Sequence, residues 1–283
     1  MTSRVRSGGA ARPQGNLVPS VKNIIAVASG KGGVGKSTVS ANLALALAKT
    51  GARVGLMDAD VYGPSIPTIM GARQPVQIKG ERIQPLEQYG VKLISVGFFV
   101  QEQDAVIWRG PMLHKLVEQF LGTVEWGELD YLVIDLPPGT GDIQLSLCQL
   151  VPLTGAVIVS TPQDVALKVA QKAIYMFNKL NCPILGIVEN MSHYVCAHCG
   201  ERDDIFGTGG AKLAAVRLEI PFLGEIPLAT PIRTTADAGD PIVHSDPSSP
   251  LAKAFLAVSE NMAAQISIRG MKGELKEEIK ITF

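Results

Sequence analysis

The nine residues 30–38, GKGGVGKST, constrain this chain more than any other segment. They follow an apolar run at 24–28 and precede a stretch rich in alanine and leucine. A strand, a glycine-rich loop and a helix are therefore expected in that order. Glycines let the backbone curl so that successive N–H groups converge on one point, as phosphate oxygens require. A helix opening at Lys36 adds its positive end. The spacing GxxxxGK[ST] is met by Gly30, Gly35, Lys36 and Ser37. Lys36 is expected on the β- and γ-phosphates and Ser37 on Mg2+. Lys31, Gly32, Gly33, Val34 and Thr38 complete the cradle, and ATP is the expected occupant.

The rest of the chain repeats one pattern. Short runs rich in Val, Ile and Leu lie at 24–28, 54–57, 92–96, 131–134, 156–159, 184–188 and 222–224, without polar alternation, as strands buried on both faces read. Helical stretches fall between them at 37–49, 111–121, 165–180, 210–218 and 251–266. Repeated βα units predict an α/β fold: a doubly wound, mainly parallel sheet with helices on both faces. The 283 residues suit one large domain at 21–268, after a disordered leader at 1–20 and before a charged tail at 269–283 that is either disordered or an added edge strand.

Twenty-six basic residues balance twenty-six acidic ones, which argues against a nucleic-acid groove or a charge-driven membrane surface. Apolar runs are all broken short of the roughly 20 residues a membrane helix needs. Four cysteines in a chain this long do not form a disulfide framework, so a reducing, cytoplasmic setting is expected. Cys148 and Cys182 stand among apolar neighbours and read as packing residues.

Two strand-like runs end in carboxylates: 54–57 leads to Asp58 and Asp60, and 131–134 leads to Asp135. The carboxyl ends of parallel strands are where such sheets bind ligands. Asp135 is expected to hold the Mg2+ shell through water. Asp58 either supports that shell or caps the following turn. The glycine-rich stretch after Asp135 has the composition of a loop that moves with the γ-phosphate.

A second lysine inside the loop, Lys31, makes GKGGVGK resemble the deviant phosphate loop of the MinD, ParA and nitrogenase-iron-protein class. That resemblance implies ATP sandwiched between two subunits, with Lys31 reaching the partner's nucleotide and Asp60 positioning the attacking water. Further segments narrow it: DADVYGPSIPTIMG (58–71), WRGPM (108–112), DYLVIDLPPGTGD (130–142), ENMSHYVCAHCG (189–200), IFGTGGAKLA (205–214), FLGEIPL (222–228) and DAGDPIV (237–243). With these the chain resembles the Mrp (ApbC/Ind-type) iron–sulfur cluster carriers from about residue 23 to 268. The resemblance implies a homodimeric ATPase, adenine contacts at Asn190 and around Pro227, and cluster ligation by Cys196 and Cys199. Apo iron–sulfur proteins as clients and a cluster donor as a further partner also follow from it.

Taken alone, the CxxC of Cys196 and Cys199 is open to three uses. Two copies could supply four thiolates to a [4Fe–4S] cluster across a two-fold axis. Zinc could be held by both cysteines with His193, or by paired loops of a dimer. A redox-active pair is the third. A MinD- or ParA-like positioning ATPase is the competing class of function, although the acidic tail makes a poor membrane helix.

Overall fold

The computed structural model describes residues 16–99, 110–196 and 198–271. The expectations for residues 1–15, for Trp108 and Arg109, and for the tail from 272 onward lie outside the described residues. Eleven strands are assigned among the described residues: β1 (Val21–Ser29), β2 (Val54–Asp58), β3 (Gln77–Lys79), β4 (Arg82–Gln84), β5 (Leu86–Gln88), β6 (Val91–Ser95), β7 (Leu129–Asp135), β8 (Gly155–Ser160), β9 (Ile184–Val195), β10 (Arg202–Asp203) and β11 (Phe222–Leu228). The helices are α1 (Lys36–Lys49), α2 (Ile66–Ile69), α3 (Gly110–Thr123), α4 (Asp142–Leu150), α5 (Asp164–Lys179), α6 (Gly210–Arg217), α7 (Thr230–Asp237), α8 (Ile242–Ser245) and α9 (Pro250–Met271).

Nine strands form one sheet in the order β10-β9-β8-β1-β7-β2-β6-β5, with β11 also paired to β9. The pairs between β1, β2, β6, β7, β8, β9 and β11 are parallel. Only the edges reverse, β5 running antiparallel to β6 and β10 to β9. The expected doubly wound architecture is thus present, with antiparallel trimmings too short to show an apolar period.

Alternation along β1 shows why both faces are covered. Ile24, Ala26 and Ala28 join a core layer with Val117 and Phe120 of α3, Leu147 of α4 and Phe177 of α5. Ile25 and Val27 face the opposite layer with Leu43 and Leu47 of α1 and Phe255 and Met262 of α9. Two boundaries differ from expectation. Val18 is buried against the first layer, so packing begins before residue 21. Helix α9 extends to Met271, beyond the expected end at 266, with Ile266 its last buried residue.

Strand order also places the site. Neighbours β1, β7 and β2 all end at one rim, with Val27 opposite Asp135 and Asp58 opposite Asp135 in register. The glycine loop leaves β1 at that same rim.

Candidate functional site

Gly33 and Gly35 adopt φ values of 78° and 77°, a left-handed conformation that costs glycine nothing. Gly35 is the N-cap of α1, so the turn at Gly33–Gly35 directs the helix start into the loop. A side chain at Gly35 would also collide with the amide of Asn190, whose Nδ2 donates to the carbonyl of Val34 at 2.8 Å. Asn190 therefore ties β9 to the loop as well as lining the cavity beside it.

Behind the loop, Asp135 gathers donors. Lys36 Nζ lies 2.8 Å from its Oδ2, and the Ser37 hydroxyl donates to the same oxygen at 2.6 Å. The Ser40 hydroxyl, one helical turn further on, donates to Oδ1 at 2.6 Å. Lys36 Nζ is also 3.5 Å from Asp60 Oδ2, so one buried ammonium stands between two carboxylates. Ser37 and Asp135 are adjacent oxygen donors of the kind Mg2+ takes, which fits the expected metal position.

Asp58 is fully buried, and both its oxygens are engaged. Oδ1 accepts the Asp60 N–H at 3.1 Å, while Oδ2 accepts the Ser95 hydroxyl at 2.9 Å and the Ile66 N–H at 3.3 Å. Of the two roles expected for it, the turn-organising contacts are the ones made. Burial, and then the negative charge of Asp135, push its carboxyl up to about 8. Burial also raises Asp60, with the Lys36 ammonium pulling the other way.

A cavity of about 610 Å³ opens onto the loop. It brings together the expected Lys31, Gly32, Gly33, Val34, Gly35, Lys36, Ser37, Thr38, Asp60, Asn190 and Pro227. Sequence reasoning missed Met191, Ile232 and Arg233, which also line it. Met191 holds a φ of 56°, strained for a non-glycine residue, and that conformation has no signature in the sequence. Lys31 Nζ donates to Gln163 Oε1 at 3.1 Å.

The cysteines lie elsewhere, on the loop that follows β9. Cys196 is half-buried and Cys199 exposed. The loop closes through Gly200 N–H to the Cys196 carbonyl and Cys196 N–H to the Glu201 carbonyl, both at 2.9 Å. Hydrogen bonds from the backbone of Cys199 and His198, and from the Cys199 side chain, hold the Cys196 thiol below its ordinary range. Among the described residues no group of three or more His, Cys, Asp or Glu side chains is placed to hold a metal. His193 instead faces its neighbour, with Nδ1 2.9 Å from the Ser192 hydroxyl, so the three-ligand zinc arrangement within one chain does not form. Cys148 and Cys182 pack in the core as expected.

One further residue had been overlooked. Glu189 on β9 is fully buried, and its carboxylate accepts the N–H groups of Gly209 at 3.2 Å and Ala211 at 2.6 Å. It thereby caps α6. Burial raises its carboxyl, opposed by those two hydrogen bonds.

With the geometry in view, the profile of the NUBPL iron-transfer P-loop NTPases matches residues 20–263. The chain belongs to that family. Among NUBPL-family relatives, the "Iron-sulfur cluster carrier protein" of Haemophilus influenzae is 51% identical over 255 residues, 89% of this chain and 69% of its own length. The "Iron-sulfur cluster transfer protein NUBPL" of Dictyostelium discoideum is 50% identical over 254 residues, 89% of this chain and 79% of its own. A nucleotide-binding protein of Archaeoglobus fulgidus, solved with ADP, superposes with a TM-score of 0.72 at 42% identity, covering 84% of this chain and 93% of that one. The cell-division ATPase MinD of Pyrococcus furiosus superposes at 0.63 with 24% identity, over 86% of this chain and 99% of its own. That last likeness is one of fold. No helix among the described residues is long and apolar enough to cross a membrane.

Proposed function

We propose that this NUBPL-family chain is an ATP-hydrolysing carrier that binds a [4Fe–4S] cluster between two copies of itself and delivers it to apo-proteins. The observation that carries this reading is the cysteine loop: two thiols, one exposed and one held low, with no third ligand beside them among the described residues. A cluster that wants four thiolates is satisfied by two such loops related by a two-fold axis. Partial exposure suits a cargo that must leave again. The iron–sulfur carrier relatives at about half identity support the same reading.

Hydrolysis follows from the phosphate side. Water attacks the γ-phosphorus, its oxygen forms the new bond, and the bond to the β–γ bridging oxygen breaks to give ADP and phosphate. Asp60 positions the water and Lys36 balances charge on the transferring group. Lys31 supplies a second cation to the partner's nucleotide. Ser37 would hold Mg2+ and Asp135 would hold its shell through water, and the ion would supply neutralisation of phosphate charge. Asp58 supports that shell indirectly, by fixing the turn that carries Asp60. Asn190 and Pro227 face the adenine. Clients are apo iron–sulfur proteins, the donor is a cluster-building partner, and a reducing compartment such as the cytoplasm keeps the thiols available.

Anaerobic reconstitution with iron and sulfide tests the carrier reading. The wild-type chain should gain absorbance near about 400 nm and bind four irons per two chains. Replacing Cys196 and Cys199 by Ala should abolish both signals. Full cluster uptake by that double variant, or zinc in place of iron, would remove this loop from consideration.

A further inference from the structure

We infer that the corner Thr161–Pro162–Gln163 is the mechanical link through which the position of Lys31 is felt at Cys196 and Cys199. The inference rests on the proposal that Lys31 reaches a partner's nucleotide and that the cysteines hold the cargo.

The first contact is the 3.1 Å hydrogen bond from Lys31 Nζ to Gln163 Oε1. Gln163 is the N-cap of α5, and its carbonyl accepts the Leu167 N–H at 3.1 Å. A lysine drawn toward phosphate charge must either release this glutamine or move the corner with it. The second contact is steric. Gly210 opens α6 directly against Pro162: a Cβ there would overlap the Pro162 carbonyl oxygen and come within 2.7 Å of Leu167 Cδ1. Packed backbone of this kind passes displacement on rather than absorbing it. The third contact is the buried carboxylate of Glu189, which clamps the start of α6 to β9 through Gly209 and Ala211.

From there the cysteine loop is framed on both sides. Strand β9 runs from Glu189 to Val195, one residue before Cys196, and β10 pairs Arg202 with Val195 on the return. The short segment after β10 leads straight into α6. Lys31, α5, α6 and the cysteine loop are thus joined by direct contacts, with no long loop to dissipate a shift.

The Thr161 hydroxyl is buried and has no hydrogen-bond partner among the described residues. An unsatisfied buried hydroxyl is costly, and a shifted corner in which it finds a partner offsets that cost. Coupling needs an element with two arrangements, and we place it at this corner.

Peptide-resolved alkylation tests the link without any cluster. The reduced full-length chain is treated anaerobically with iodoacetamide, with and without saturating Mg2+ and a slowly hydrolysed ATP analogue. In the wild type, nucleotide should change the Cys196 and Cys199 rates by about fivefold or more. Gln163→Ala and Lys31→Ala should each abolish the change, the double variant should add nothing, and Gln163→Glu, which keeps an oxygen acceptor, should restore it. A wild-type-like response in Gln163→Ala, an additive double variant, or no response in the wild type overturns the inference. The carrier reading stands or falls separately, on cluster uptake by Cys196 and Cys199.

Discussion

Asp58 and Asp135 stand opposite each other on neighbouring parallel strands, both fully buried, and among the described residues only Asp135 is in direct ion-pair contact with Lys36. Lys36, Ser37 and Ser40 all serve Asp135. Among the described residues Asp58 is given hydrogen bonds by the Ser95 hydroxyl and two backbone N–H groups. Its carboxyl, raised from 3.8 to about 8, therefore keeps its proton in the folded chain over a range where the unfolded chain has lost it. The stabilising contribution is complete below pH 3.8 and is lost as pH rises to about 8. One proton limits the slope to about 1.4 kcal/mol per pH unit. Urea midpoints measured from pH 5 to 8 should fall more steeply for the wild type than for Asp58→Asn. Equal slopes would mean that Asp58 is ionised throughout.

Ser40→Ala should destabilise the chain by about 1–3 kcal/mol, because it leaves the buried Oδ1 of Asp135 without its 2.6 Å donor. Nucleotide affinity should fall much less than stability, since Ser40 is not among the residues lining the cavity. Thermal melts with and without ATP separate the two effects. An unchanged melting temperature would show that water replaces the hydroxyl without loss.

What could be read from the sequence was local or periodic. The glycine loop declares itself because its curl, its helix start and its lysine fall within nine residues. Asp58 and Asp135 were legible because each ends an apolar run. Ser40, Gln163 and Glu189 were not, because their meaning lies in contacts 95, 132 and 22 residues away along the chain. A serine one turn into a helix, or a glutamine after a proline, has no pattern of its own. Strand β9 was expected to stop at Val188 because Asn190, Ser192 and His193 break its apolar run; pairing with β11 and then β10 carries it on to Val195. Helix α7 escaped notice because it opens on Thr230 and Pro231 with hardly any buried side chains.

Lys36→Ala should lower ATP hydrolysis by about 100-fold or more, since it removes the cation that stands between Asp60 and Asp135. It should also cost stability, because a buried carboxylate loses its partner, an effect of about 3–5 kcal/mol in comparable pairs, softened here by Ser37 and Ser40. Phosphate release and denaturant midpoints check the two halves. Retained hydrolysis in a folded variant would displace Lys36 from its assigned role.

Cys196 should react at lower pH than an ordinary thiol. Backbone N–H groups of Cys199 and His198 stabilise its thiolate, and the loop that aims them is closed by the hydrogen bonds at Gly200 and Glu201. An unperturbed cysteine titrates near about 8.5. Iodoacetamide labelling of the reduced, cluster-free chain between pH 6 and 9, resolved by peptide, should give Cys196 a lower midpoint than a cysteine in an unstructured peptide labelled alongside it. Gly200→Pro, which deletes the N–H bonded to the Cys196 carbonyl and cannot adopt the φ of 74° held there, should return the midpoint toward the ordinary value by opening the turn. A low midpoint that survives this substitution would assign the shift to some other feature than the closed loop.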